Sequence, residues 1–233
     1  MGDHFRITSC GAMVVATDTH VGLWVERQGR LDHDLYLLPM IVPLIPENGT
    51  VIDGGALYGD HTLAYARKVG PHGSVFAFEP NPEAFTCLRK NMETFNVSSI
   101  VTPCQFGLSD KMSSVGFALD ENTGASHIVE ESKHRVPCVP LDQMTIDNIS
   151  FIKLDIEGFE VKALRGAAVS IMTWRPVIVA EVNRGALERQ GDTQEGLLNL
   201  LREYNYRAEC IQQPAVIPEK CRMPQFDIIA YPV

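Results

Sequence analysis

Charged side chains stand at or near the ends of apolar runs at several points in this chain: Asp53 in TVIDGG, Glu79 in SVFAFEP, Lys153, Asp155 and Glu157 in FIKLDIEGFE, and Glu181 in PVIVAEVN. Burying an unpaired charge is costly, so each group must find a partner or open onto a cleft. Carboxylates gathered at a cleft can hold a cationic ligand and can take a proton from a reacting hydroxyl. Asp155, Glu157 and Glu181 are the candidate bases, with His61 and His127 as alternatives, and the residue types do not choose among them. Lys153 and His127 are read as facing the substrate. A plainer reading makes Lys153 and Asp155 an ion pair that finishes its strand. The three acids also suit a hard cation by ligand type, but no spacing specifies one, and no metal is expected.

VIDGGALYGDHT, residues 51–62, is where a ligand would sit. Gly54 and Gly55 allow a sharp reversal, and Gly59 allows close packing at a helix start. Against the dinucleotide template G-x-G-x-x-G the match is Gly54, Ala56 and Gly59, so the glycine that lets backbone approach a pyrophosphate is missing. Asp53 would repel a diphosphate. The turn therefore fits a nucleoside bearing positive charge better than NAD. Glu79 lies 26 residues after Asp53, where an acid can accept hydrogen bonds from both ribose hydroxyls. Ser109 and Asp110, in GLSD, fall within reach of an adenine amino group, although a loop acid is as often solvated. The residues expected on this ligand are Asp53, Gly55, Ala56, Tyr58, Gly59, Thr62, Glu79, Pro80, Asn81, Ser109 and Asp110.

The elements that must position these groups follow from the pattern. TVID, DHTLAYARKVG, SVFAFEP, NPEAFTCLRKNMETFN and SIVTPCQFGLSD alternate between strand-like and helix-like stretches, and the alternation resumes with ISFIKLDIEG, EVKALRGAAVSIMTW, PVIVAEVN and TQEGLLNLLREYN. Such alternation implies a parallel sheet covered on both faces by helices. RAECIQQ and FDIIAYP are joined by too short a connection for a crossover helix, so one strand near the sheet's edge is antiparallel. Residues 113–140 break the rhythm as a hairpin or excursion, a candidate substrate-facing segment. Residues 1–47 read as an appended hairpin, over 13–28, and a helix; 48–233 read as the main domain. Because strand side chains alternate, Lys153, Asp155 and Glu157 should share one face while their strand lasts.

Composition narrows the function classes. Twenty basic against 29 acidic residues, a net charge of -9, argues against a duplex nucleic-acid partner. The six cysteines form no CxxC pair and read as reduced structural thiols. The N-terminus lacks a secretory pattern, and the longest apolar run, LYLLPMIVPLIP, is too short to span a bilayer. No membrane is expected, and a cytoplasmic location is. Nothing indicates oligomeric state.

VIDGGALYGDHT, FAFEPNPEAF, GLSD and FIKLDIEGFEVKALRGA, in this order and spacing, resemble the FkbM family of S-adenosylmethionine-dependent methyltransferases over roughly residues 45–183. The resemblance implies a class I methyltransferase fold, a Rossmann-like α/β architecture with a mostly parallel seven-stranded sheet. It implies S-adenosylmethionine as cofactor and a hydroxyl of a sugar, glycan or other small molecule as acceptor. By motif, the glycine turn would hold the methionine part, Glu79 the ribose and Asp110 the adenine. The family turn commonly reads DVGANIG, whereas here Gly54 stands for the valine and Leu57 for the asparagine. A base-modifying amino-methyltransferase is disfavoured, since KLDIEG lacks the aromatic that would stack an extruded base. Two other readings remain: an NAD-dependent oxidoreductase, which Ala56 and Asp53 weaken, and a non-catalytic cofactor-binding module, against which the retained carboxylates speak.

Overall fold

The structure, a computed structural model, describes residues 5–7, 13–15, 33–118, 127–128, 133 and 135–233. β1 (Phe5–Ile7) pairs antiparallel with β2 (Met13–Val15). The strand expected at the start of 13–28 is therefore present, but its partner precedes it; the second run of the expected hairpin lies outside the described residues. α1 (His33–Ile41) contains Pro39 and passes into a single 3-10 turn at Val42–Leu44.

The regular alternation begins at β3 (Thr50–Gly54). α2 (Asp60–Val69) starts after the left-handed Gly59 and stops at Gly70. After β4 (Ser74–Phe78), Asn81 Oδ1 accepts from the Glu83 and Ala84 amides at 2.9 and 3.3 Å and caps α3 (Pro82–Thr94). Pro82 is tolerated there because the first helical N–H has no intrahelical partner. β5 (Val101–Cys104) ends sooner than SIVTPCQFGLSD suggests. Its continuation is β6 (Gly107–Leu108), which joins a separate small sheet with β7 (Ser113–Ala118), β8 (His127–Ile128) and β9 (Arg135–Val139), in the order β6-β9-β7-β8. The segment between units is thus a hairpin-bearing excursion, and most of 119–134 lies outside the described residues.

β10 (Ile149–Leu154) follows, then α4 (Glu160–Arg165) and α5 (Ala168–Trp174). The sequence pattern suggested one helix here. It divides near Gly166, where an added Cβ would lie 1.9 Å from the Ser109 carbonyl oxygen. β11 (Val177–Asn183), α6 (Arg184–Arg189), α7 (Gln194–Glu203), β12 (Tyr206–Cys210) and β13 (Gln225–Pro232) complete the chain.

Seven strands form the central sheet in the order β12-β13-β11-β10-β3-β4-β5. Every adjacent pair is parallel except those of β13, which runs antiparallel to β11 and β12. The chain winds outward from β3 in one direction and from β10 in the other, so the switch point lies between these two strands. Open α/β sheets bind ligands in the crevice beyond such a point. Period-two alternation divides the core. Val51, Phe151, Val179 and Ile229 pack with α1, α2 and α3 on one face. Ile52, Ile152, Ile178 and Ile228 pack with α4 to α7 on the other. Each such side chain contributes roughly 2 kcal/mol through burial.

Candidate active site

The charged groups lie at the carboxyl end of the sheet, on the face shared with α1 to α3. Asp53 is two residues beyond Val51, Lys153 two beyond Phe151 and Glu181 two beyond Val179, so each follows an apolar neighbour on that face. Lys153 stands in register with Asp53, and Glu181 with Asp227 of the antiparallel β13. Asp155 comes just past the Leu154 to Ala180 pair, where β10 ends, and its charge acts on Glu181. The result is a row of carboxylates across three strands, Asp155, Glu181 and Asp227, beside the glycine turn.

The turn packs tightly. Gly55 has φ +80, and a Cβ there would fall 1.9 Å from the Asp155 carbonyl oxygen. At Gly59, φ +93, a Cβ would meet Leu88 and Met92 at 2.7 and 2.8 Å. Both Gly55 and Ala56 donate their amides to the Phe78 carbonyl. Tyr58 is fully buried, and its carbonyl accepts from Asn91 Nδ2 at 2.6 Å. Leu57 adopts the left-handed conformation, φ +47, which costs a branched residue about 1–2 kcal/mol. Its amide donates to Glu79 Oε2 at 2.9 Å, while the Asn81 amide donates to Oε1 at 2.7 Å. Burial pushes the Glu79 carboxyl up to about 7 despite those two amides. Each carboxylate oxygen keeps a further lone pair for a ligand hydroxyl.

Asp53 is wholly buried; its Oδ2 accepts from Thr62 Oγ1 at 2.5 Å, and its Oδ1 has no partner. An orphaned buried acceptor, a cradle that side chains would fill and an acid at the end of β4 together suit a cationic nucleoside such as S-adenosylmethionine. Pro80 follows Glu79 at the rim. Ser109 is buried, and its hydroxyl donates to the exposed Asp110 at 3.2 Å. This pair leaves the central sheet with β6, but Leu108 still reaches Gly54, where an added Cβ would lie 3.2 Å from it.

Lys153 and Asp155 do form the ion pair, at 3.1 Å. Burial alone would lower the Lys153 pKa; Asp155, Asp53 and Asp227 outweigh it and hold the ammonium above its usual value. The strand ends at Leu154, and Glu157 turns out of line with φ +53, so the three charges do not share one face as far as their alternation suggested. Burial, then Asp155, raises Glu157 to about 7, with Arg189 opposing. Glu181 is 6% exposed; Gln225 Nε2 donates to its Oε1, and its Oε2 has no partner. Burial first, then Asp155, Glu157, Glu160 and Asp227, hold its proton affinity well above the usual carboxylate range. His61, buried in α2, contacts the Tyr65 hydroxyl through Nδ1 at 3.3 Å. His127 lies in β8, and its side chain falls outside the described residues.

Three participants were not singled out from sequence. Glu160 Oε1 accepts from the Ile156 and Gly158 amides at 3.0 and 3.3 Å and so shapes the turn after β10. Asp227 is clamped by Gln212, whose Nε2 donates to Oδ2 at 2.6 Å and whose Oε1 accepts the Asp227 amide at 2.8 Å. Burial, then the charge of Asp227, raises the pKa of the Tyr36 hydroxyl on α1, with Glu181 and Asp155 adding to the rise and Gln212 opposing it. A charge inside the strand-like QFDIIAYP was the available signal for Asp227. Among the described residues no group of His, Cys, Asp and Glu is arranged to hold a metal ion, and no helix is long and apolar enough to cross a membrane. Cys87, Cys104, Cys138, Cys210 and Cys221 are buried free thiols; Cys10 lies outside the described residues.

Comparison with known proteins bears on this arrangement. The family described as Methyltransferase FkbM domain matches residues 53–208. The hexuronic acid methyltransferase AglP of Haloferax volcanii is 25% identical over 169 residues, 70% of this chain and 67% of that protein. A methyltransferase FkbM structure from Methylobacillus flagellatus superposes with a TM-score of 0.58 at 18% identity, covering 93% of this chain; the chain spans about half, 53%, of that structure. An S-adenosylmethionine-dependent O-methyltransferase from Thermotoga maritima gives a TM-score of 0.52 at 14% identity, covering 98% of this chain and 77% of that one.

Proposed function

Because the chain belongs to the FkbM family of S-adenosylmethionine-dependent methyltransferases, we propose that its acceptor is a hydroxyl of a sugar, glycan or other small molecule and that Glu181 takes the hydroxyl proton. The observation that carries this reading is the position of Asp155. Its carbonyl packs on Gly55 in the donor cradle, and its carboxylate, one residue past the end of β10, is close enough to Glu181 to raise the proton affinity of that acid. Donor cradle and candidate base therefore meet at one residue.

When bound, S-adenosylmethionine supplies an electrophilic methyl carbon that passes to the acceptor oxygen, the bonding pair staying on sulfur. Glu79, the glycine turn and Asp53 would hold it, with Ser109 and Asp110 toward the adenine. Holding both reactants in line supplies much of the rate. A base improves the attacking oxygen, and it works best when its proton affinity lies near the working pH. Burial first, then Asp155, Glu157, Glu160 and Asp227, raise the proton affinity of Glu181 above that of an ordinary carboxylate, the direction a base of this kind needs. Asp155 is committed to the ion pair with Lys153; its role, with Glu157, is to raise the proton affinity of Glu181.

The relative named for hexuronic acid supports a sugar acceptor. Calorimetric titration with S-adenosylhomocysteine, with NAD as control, is the first check, followed by transfer of labelled methyl to a panel of hydroxyl and amine acceptors. Binding of S-adenosylhomocysteine alone and label appearing in ethers support the reading; label found only on nitrogen overturns the hydroxyl acceptor.

A further inference from the structure

Resting on the function proposed above, and narrowing its acceptor, we propose that the row Asp155, Glu181 and Asp227, edged by Gln212, Gln225 and Tyr36, is the acceptor subsite and selects polyhydroxyl compounds that carry no negative charge. Glu181 and Asp227 lie in register on β11 and β13, and Asp155 follows the last residue of the neighbouring β10, close enough for its charge to raise the proton affinity of Glu181. Two of them are held by side-chain amides: Gln225 donates to Glu181, and Gln212 donates to Asp227. Each NH2 group carries a second hydrogen, and Glu181 keeps an acceptor oxygen that its amide does not fill. Alternating acceptors and donors along one line match the vicinal hydroxyls of a sugar ring.

Glu181 Oε2 points to a ligand independently of the acidic row. It is buried, on a residue only 6% exposed, and has no hydrogen-bond partner. Such an atom is costly to maintain, and a donor hydroxyl placed there removes the cost. The row is nonetheless reachable from its rim, where the Asp155 side chain is 29% and Tyr36 43% exposed. Tyr36 of α1 lies near enough to the row for Asp227, Glu181 and Asp155 to act on its hydroxyl; an aromatic near amides and carboxylates is suited to the mixed apolar and hydroxylated faces of a sugar.

Charge sets the selection. Lys153 is the cation of the row, and it is engaged by Asp155 at 3.1 Å. A carboxylate on the acceptor would enter beside Asp155 and Asp227, and among the described residues the cation shown there is already engaged; like charges brought together at an interface disfavour binding strongly. In this respect the acceptor differs from the hexuronic acid in the name of the Haloferax relative.

The test measures kcat/KM for labelled methyl transfer to matched pairs of phenyl glycosides, each neutral hexoside set against the hexuronide that differs only by a C6 carboxylate. The expected result is a preference for the neutral member of about 100-fold or more, and a drop of that preference by roughly 10-fold in Asp227→Asn with S-adenosylhomocysteine affinity unchanged. Should Asp227→Asn fold poorly, Tyr36→Phe serves instead, with KM for neutral hexosides raised several-fold and kcat nearly constant. Equal or better use of the hexuronides overturns the charge selection. No transfer to either member of any pair, with S-adenosylhomocysteine still bound, overturns the polyhydroxyl class while leaving the methyltransferase intact; loss of S-adenosylhomocysteine binding in the parent protein would instead overturn the function on which the subsite rests.

Discussion

The two sides of the switch point hold their carboxylates by different means. On the side of β3 and β4, Glu79 is fixed by the backbone amides of Leu57 and Asn81, and Asp53 by Thr62 nine residues on. On the side of β10, β11 and β13, Glu181 is held by Gln225 and Asp227 by Gln212, side chains 44 and 15 residues away. A carboxylate fixed by backbone amides, as Glu79 is, presents the same face to every ligand, as a common cofactor requires. One held by side-chain amides on other elements can change with those amides while the strand stays unaltered, as a variable acceptor requires. The two sides meet at Gly55 and Asp155.

The largest effect is expected at that joint. Gly55→Ala would place a Cβ 1.9 Å from the Asp155 carbonyl oxygen in a backbone with φ +80. Backbone displacement and left-handed strain together should cost about 2–5 kcal/mol. S-adenosylhomocysteine binding and methyl transfer should vanish together, and thermal unfolding should move down sharply. Retention of either half's function would show that the two sides are not joined there.

Glu181→Gln separates the sides. The amide keeps the size of the acid and can still contact Gln225, but it cannot take a proton. A fall in kcat of about 100- to 10,000-fold is expected, with S-adenosylhomocysteine affinity unchanged by calorimetry. A parallel loss of affinity would place Glu181 on the donor side. Glu79→Gln is the converse: affinity for S-adenosylhomocysteine should drop about 10- to 100-fold through weakened charge-assisted hydrogen bonds, while the preference among acceptors stays as it was.

The same difference explains what the sequence made legible. Asp53, Glu79 and the glycine turn declare themselves because strand end, turn and helix start are contiguous around each acid, although Leu57, which binds Glu79, lies 22 residues before it. The sheet was legible for the same reason, down to the antiparallel strand, since each unit announces its neighbour. Asp227 came beside Glu181 only through the return of β13, and Tyr36 only through the packing of α1; no local pattern carries either. Glu157 was misplaced because alternation was followed past Leu154, where a left-handed turn ends the strand. The break between α4 and α5 likewise depends on the distant Ser109 carbonyl.

Glu160 gives the finest test, because it belongs to the turn that both sides share. Its Oε1 accepts two amides, while its Oε2 is buried without a partner. Burial is the main reason its carboxyl rises from 4.5 to about 7; the hydrogen bonds it accepts work against that rise, and Asp155 adds to it. The folded state then binds a proton that the unfolded chain has already released between these values, so stability is greatest at low pH and falls as pH rises from about 4.5 to 7. At about 1.4 kcal/mol per pH unit, this group alone would account for roughly 3 kcal/mol. Glu79 and Glu157, also raised to about 7, act in the same direction, so the pH dependence of the parent protein reports all three. Glu160→Gln isolates one: its carbonyl can still accept the Ile156 and Gly158 amides, and no charge has to be buried. Thermal unfolding of the variant should exceed that of the parent by several degrees at pH 8 and match it near pH 4.5. An equal shift at both values would mean that the substitution acts through packing rather than charge, and a loss at pH 8 would mean that the carboxylate is paired in solution.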